Sequence, residues 1–234
     1  MSDRIPLVLL PGLLCDARLW RRQAENLADI ADVTVADLTR DDTMAAMAER
    51  VLAAAPERFA LAGLSMGGYA AFAVMRAAPA RITRLALLDT SARADTPERR
   101  RLRLELNDLV RAGRFAEVPP MLLPTLVHPA RHRDRELAET ILSMASAVGA
   151  DGFLRQQAAI MSRPDSRPGL GAIACPTLVL CGRQDERTPL ALHEEMTTAI
   201  PGATLVVLED CGHMSTLERP AAATAALRAW LRRR

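Results

Sequence analysis

Lysine is absent from this chain: all 30 of its basic residues are arginine, which reads as a coding bias toward Arg and Ala rather than a functional signal. Aromatic residues make up only 3% of the chain, and no basic stretch is interleaved with them. With a net charge of +2, this excludes a nucleic-acid partner. The four cysteines (Cys15, Cys175, Cys181, Cys211) form no C-x-x-C pair and no zinc-like spacing with the four histidines, so no metal is expected. They read as reduced thiols of a cytoplasmic protein. No apolar run approaches the roughly 20 residues needed to cross a bilayer. Met1-Ser-Asp-Arg4, ahead of a short apolar run, does not read as a signal peptide, so no membrane partner is expected. Arg232-Arg233-Arg234 reads as a solvated helix end, where cations suit the dipole. Neither a GxxxxGK[ST] nor a GxGxxG element occurs, so no nucleotide cofactor is expected.

What is present is an alternation of short apolar runs with helical patterns. The runs are Ile5 to Leu10, Val33 to Leu38, Phe59 to Leu64, Leu85 to Leu88, Thr177 to Leu180 and Thr204 to Leu208. Helical patterns fall at about Ala17 to Ala28, Thr43 to Ala54, Met66 to Ala77, Pro189 to Ile200 and Pro220 to Leu231. Strand runs without polar alternation, separated by helices, predict a mostly parallel sheet buried on both faces. The alternation stops between Ser91 and Pro176. That stretch predicts several helices, starting at the cap Thr96-Pro97-Glu98, with breaks near Gly113, Pro119-Pro120, Pro129 and Gly149. The expected organisation is therefore a core of residues 1–94 and 169–234 with a helical lid of residues 95–168 inserted in it. Of Met121, Leu122, Leu126, Leu142 and Met144, most should pack the lid down and a minority line a pocket.

Gly63-Leu64-Ser65-Met66-Gly67 follows one apolar run and opens a helical pattern. This is the strand, sharp turn and helix setting that gives a G-x-S-x-G match meaning. Small neighbours let the strand and helix approach while the hydroxyl projects above the sheet. A serine hydroxyl needs a base to take its proton. His213, in the loop after Thr204 to Leu208, is the best placed of the histidines. His128 and His132 fall within the lid and His193 within a helix, where solvated or structurally satisfied side chains are expected. The base needs a carboxylate to fix its tautomer. Asp185, directly after Thr177 to Leu180, is preferred over Asp89 and Glu186. Two backbone N–H groups should hold an oxyanion: Met66, just after the serine, and Leu13, after the close-approaching Gly12.

Leu10-Pro11-Gly12-Leu13, Gly63-Leu64-Ser65-Met66-Gly67-Gly68, Gly182-Arg183-Gln184-Asp185 with Thr188-Pro189, and Gly212-His213 together resemble the α/β-hydrolase superfamily. Within it the chain looks most like small bacterial carboxylesterases and enol-lactonases. Val51-Leu52-Ala53-Ala54-Ala55-Pro56 is similar to the pimeloyl-carrier-protein methyl esterases. The resemblance implies an α/β-hydrolase fold, the order Ser65, Asp185, His213, and no cofactor. Pro11-Gly12 stands where many relatives have His-Gly, and Thr39-Arg40-Asp41-Asp42 where many have Gly-x-Gly-x-Ser. Because the chain starts at the oxyanion strand, a small sheet of about six strands is expected. Ser65 excludes the branches with an aspartate nucleophile.

The expected function is hydrolysis of a small-molecule ester or lactone through an acyl-enzyme. An apolar lid with few charges on its inner face suggests a small or medium acyl group. Acyl transfer, thioester hydrolysis and carbon–carbon bond hydrolysis use the same triad, and a ligand-binding protein without turnover is the rival from another class. The oligomeric state is left open between monomer and homodimer.

Overall fold

A computed structural model describes residues 4–233; Met1 to Asp3 and Arg234, and the terminal readings that fall on them, lie outside the described residues. Its centre is a parallel six-stranded sheet in the order β2-β1-β3-β4-β5-β6, built from β1 (Ile5–Leu10), β2 (Ala31–Val35), β3 (Phe59–Leu64), β4 (Ile82–Leu88), β5 (Thr177–Gly182) and β6 (Thr204–Leu208). Side chains alternate across the sheet. Val8, Leu10, Phe59, Leu61, Leu85, Leu87 and Val179 feed one core layer. Leu7, Leu9, Ala60, Ala62, Leu64, Leu88, Leu178 and Leu180 feed the other. Burial on both faces is why these strands read as unbroken apolar runs.

Each layer is closed by helices. On the first face lie α2 (Met44–Ala54), α3 (Met66–Ala77) and α7 (Leu190–Ala199), which contribute Met47, Phe72 and Met196. On the second lie α1 (Arg21–Leu27) and α9 (Pro220–Leu231), with Leu27, Leu227 and Trp230. The edge strand β2 ends earlier than its apolar run. Asp37 accepts both the N–H and the hydroxyl of Thr39 (2.9 and 2.6 Å), and this local turn replaces the ladder. The buried Leu38 belongs to the turn, not to the strand.

Between β4 and β5 the chain forms α4 (Pro97–Arg111), α5 (Val118–Leu122) and α6 (Arg135–Ser162), and a short α8 (Ser215–Glu218) follows β6. Thr96 caps α4 by accepting the Arg99 N–H at 3.3 Å. Pro119 and Pro120 do not break this region. They start α5, where a missing N–H leaves nothing unsatisfied. At Gly149 the backbone is non-helical (φ 71°, ψ 177°), so α6 is two helical segments joined at a kink, where the sequence predicts a break. By length and composition alone, Arg135–Ser162 would be long and apolar enough to cross a membrane. The Gly149 kink divides it, and its apolar residues Leu137, Ile141, Met144 and Phe153 are buried against the rest of the protein.

Parallel strands put all their C-terminal ends on one edge. The loops after β1 and β3 lie side by side there, since Leu10 pairs with Gly63. The connections leave in opposite directions at this point, β1 toward the edge strand β2 and β3 toward β4, which opens a crevice above the sheet.

Candidate functional site

Strain marks this edge. Among the described residues, four other than glycine have left-handed backbones: Leu14 (φ 59°), Ser65 (φ 55°), Asp89 (φ 44°) and Asp210 (φ 48°). Each sits just beyond β1, β3, β4 or β6. Such conformations persist where the surroundings over-determine them. Ser65 is held by its N–H donating to the Leu88 carbonyl at 2.9 Å, and its own carbonyl accepts the Thr90 hydroxyl at 2.8 Å. A Cβ on Gly67 would run into the Leu10 and Pro11 carbonyl oxygens, and one on Gly68 into the Thr90 side chain. The absence of those carbons is what lets α3 start directly under the serine.

The structure brings Ser65, His213 and Asp185 into one hydrogen-bonded line. Ser65 Oγ lies 2.8 Å from His213 Nε2, and His213 Nδ1 lies 2.8 Å from Asp185 Oδ2. An ionised carboxylate only accepts, so the ring proton belongs on Nδ1 and Nε2 is free to accept from the hydroxyl. Burial works against the charge on Asp185. His213, the Thr188 hydroxyl at 2.6 Å and the Thr188 N–H at 2.9 Å outweigh it, holding the carboxyl well below its ordinary range.

The two rival carboxylates do not meet His213. Asp89 is fully buried and accepts the Gly182 N–H (3.1 Å), the Ser215 N–H (3.3 Å) and the Ser215 hydroxyl. Burial first, and Asp185 second, push its carboxyl up. Glu186 is exposed on the cavity rim. His193 is buried beneath the serine, where Nε2 accepts the Thr90 N–H at 3.0 Å, and burial lowers it to about 4. His128 and His132 belong to the turns before α6, capping Ala130 N–H and contacting the Pro124 carbonyl. Cys15 is buried and pushed up to about 12 by that burial, and Cys211 is raised in the same way, so neither is a thiolate.

Leu13 and Met66 N–H groups have no acceptor among the described residues. Gly12 lies against Ser65, since a Cβ there would be 3.5 Å from Ser65 Cβ. The loop is fixed from above: Gln156 of α6 accepts the Leu14 N–H at 3.0 Å and donates to the Leu38 carbonyl at 3.2 Å. The His213 loop is fixed by Glu218, whose buried carboxylate accepts the Gly212, Met214 and His128 N–H groups at 3.0, 3.2 and 2.7 Å.

A cavity of about 540 Å³ opens over Ser65 and His213. Leu13, Leu106, Leu122, Leu126 and Ile141 supply its apolar wall, and the strongly exposed Leu102 and Met121 stand at its rim. Met144 packs in the core and Leu142 does not line the cavity. The expectation of a lid with few charges on its inner face is overturned: Arg99, Arg103 and Glu105 of α4 line the cavity, joined by Glu186 and Arg187 from the loop after β5 and by the neutral Gln157. The α4 pattern is mainly polar, and sequence alone does not show which side of such a helix turns inward. Gln156, Gln157, Arg99 and Glu218 gave no local signal for the same reason. Thr188 was visible only as part of a motif.

The model of the alpha/beta hydrolase fold family matches residues 5–220. RutD of Escherichia coli O150:H5 (strain SE15), provisionally named a carbamate hydrolase, is 26% identical over 94% of this chain and 88% of its own length. The pimeloyl-[acyl-carrier protein] methyl ester esterase of Nitrosomonas europaea is 28% identical, covering 92% of this chain and 90% of that protein. Among solved structures, a thermophilic esterase from Thermogutta terrifontis with malate bound superposes with a TM-score of 0.90 at 33% identity, covering 99% of this chain and 91% of that one.

Proposed function

This chain belongs to the α/β-hydrolase family, and from that premise we propose that it is a serine hydrolase that cleaves a carboxylic ester or lactone through an acyl-enzyme. The observation that carries this reading is the unbroken line from Ser65 Oγ through His213 to Asp185, both links being 2.8 Å. In the first step Ser65 Oγ attacks the acyl carbonyl while Nε2 of His213 takes its proton. Asp185 keeps the ring in the tautomer that accepts this proton and stabilises the positive charge that results. The carbonyl oxygen turns negative within reach of the unpaired Leu13 and Met66 N–H groups, which would otherwise need water. His213 then gives the proton to the departing alkoxide. Water then attacks the acyl carbonyl while His213 takes its proton; the acyl–Oγ bond breaks, His213 returns the proton to Ser65 Oγ, and the carboxylic acid leaves.

The helices between β4 and β5 roof this cavity and act as a lid in this reading. Support for ester chemistry comes also from the names of the Nitrosomonas and Thermogutta relatives. The test is hydrolysis of a chain-length series of p-nitrophenyl esters by wild type and Ser65→Ala. Loss of turnover on the order of a million-fold is expected. A variant that keeps the wild-type rate would refute Ser65 as nucleophile.

A further inference from the structure

The cavity wall carries more positive charge than its surroundings neutralise. Arg103 is paired with Asp95 at 2.7 Å, but Asp95 also serves Arg163 at 2.8 Å. Arg99 and Arg187 have no carboxylate within ion-pair distance among the described residues. Arg99 donates to the Arg187 carbonyl at 2.6 Å, and Arg187 to the Thr125 hydroxyl at 3.1 Å. The remaining donors of both guanidiniums meet no protein acceptor among the described residues. Glu105 and Glu186, on the same wall, are exposed, and Glu105 lies 3.6 Å from Arg101.

An independent feature points the same way. Gln157 is fully buried and its Nε2 has no hydrogen-bond partner. The amide cannot be reversed to cure this, because its Oε1 accepts from Arg103 at 2.7 Å and a reversed amide would set donor against donor. A buried donor left without an acceptor is costly, and here it lies in the cavity lining beside the two unpaired guanidiniums. Donors thus converge on the cavity from α4 (Arg99), α6 (Gln157) and the loop after β5 (Arg187), and among the described residues none of these three has a carboxylate partner, while Arg103 shares Asp95 with Arg163. Burial, followed by the nearby Arg103, lowers Arg187, so the group is held where its charge is poorly solvated.

We propose that this wall is a subsite for a carboxylate on the acyl part of the substrate, so that the preferred substrate is a half-ester of a dicarboxylic acid. This rests on the ester-hydrolase reading of Ser65. The planar guanidinium fork of Arg187 matches the two oxygens of a carboxylate, with Arg99 and the Gln157 amide as further donors. The apolar wall of Leu106, Leu122, Leu126 and Ile141 then takes the methylenes between the two carbonyl carbons. The charge stays at the wall while the other end is hydrolysed, and the product is a dicarboxylate.

The experiment compares initial rates on monomethyl glutarate and dimethyl glutarate for wild type, Arg187→Gln and Arg99→Gln. Binding of glutarate to Ser65→Ala is measured by calorimetry in low and high salt. Wild type is expected to favour the half-ester by tenfold or more in kcat/KM. Each arginine variant should lower that ratio on the order of 10- to 100-fold, whatever its absolute rate, as expected for losing a hydrogen bond to a charged group. Glutarate should bind Ser65→Ala with an affinity that falls with salt, and an added Arg187→Gln should abolish it. No preference for the half-ester together with no glutarate binding overturns the subsite, even if both esters are hydrolysed. A preference that survives in both arginine variants overturns it too. Two inert esters with glutarate still bound through Arg187 would uphold the subsite and remove the hydrolase reading instead.

Discussion

Gln156, in the part of α6 beyond the Gly149 kink, accepts the N–H of Leu14 at 3.0 Å, and this bond links α6 to the loop that carries Leu13. Leu14 has a left-handed backbone (φ 59°), and Gln156 is buried with both of its polar atoms used. Replacing it with leucine leaves the Leu14 N–H and the Leu38 carbonyl without partners and frees the loop to shift. A displacement of about 1 Å at such a place costs on the order of 100-fold in rate. Gln156→Leu should therefore lower kcat by about that factor with a smaller change in KM. Steady-state kinetics of a folded Gln156→Leu protein would contradict this if kcat stayed at the wild-type value.

The two buried aspartates should separate sharply by activity. Asp185→Asn puts a donor opposite His213 Nδ1 and favours the wrong tautomer, with an expected loss of about 10,000-fold in kcat. Asp89→Asn acts on Gly182 and Ser215 instead, so its loss should stay within about tenfold. Equal losses in the two variants, measured on the same ester, would mean that the carboxylate serving the histidine has been misidentified.

His193 predicts a specific acid sensitivity. The unfolded chain protonates it near 6.5, whereas in the folded protein burial lowers it to about 4. Protons therefore bind the unfolded state first. Its contribution to stability is complete above about pH 6.5 and is lost as the pH falls toward 4, by about 3 kcal/mol in all. Urea titrations of wild type and His193→Gln at several pH values test this. The variant should lack that part of the decline, and identical slopes would rule it out.

Gly67→Ala should fold poorly or lose about 3 kcal/mol, since its new methyl meets the backbone oxygens of Leu10 and Pro11 and neither can rotate away. Thermal denaturation of the purified variant provides the check. An unchanged midpoint would show that β1 and α3 can separate without cost.

The fold was legible wherever burial leaves a one-dimensional trace. Phe59 to Leu64 is apolar without interruption because β3 is covered on both sides, and its bounds could be read directly. Glycines forced by close contact, such as Gly63 and Gly67, are equally local signals. Ser65, Asp185 and His213 could be singled out because each follows a strand whose end is readable. The cavity wall could not be read. Arg99 and Arg103 sit in a run of arginines on α4, and only the packing of that helix decides which of them turn inward. Gln156 and Gln157 are adjacent, yet one serves the Leu14 loop and the other faces the cavity, a division that depends on helix rotation alone.

The carboxylate of Glu218 takes N–H groups from both neighbours of His213 and from His128 in the insertion. The turn at His128 and the loop around His213 are far apart in the chain, yet they share one acceptor, so they do not vary independently over evolutionary time. A shorter side chain at 218 strands all three N–H groups together, and a rebuilt turn at 128 changes how the loop around His213 is held. Substitutions at these places are expected to be strongly non-additive, with drift in the insertion tolerated only in company with changes beside the histidine.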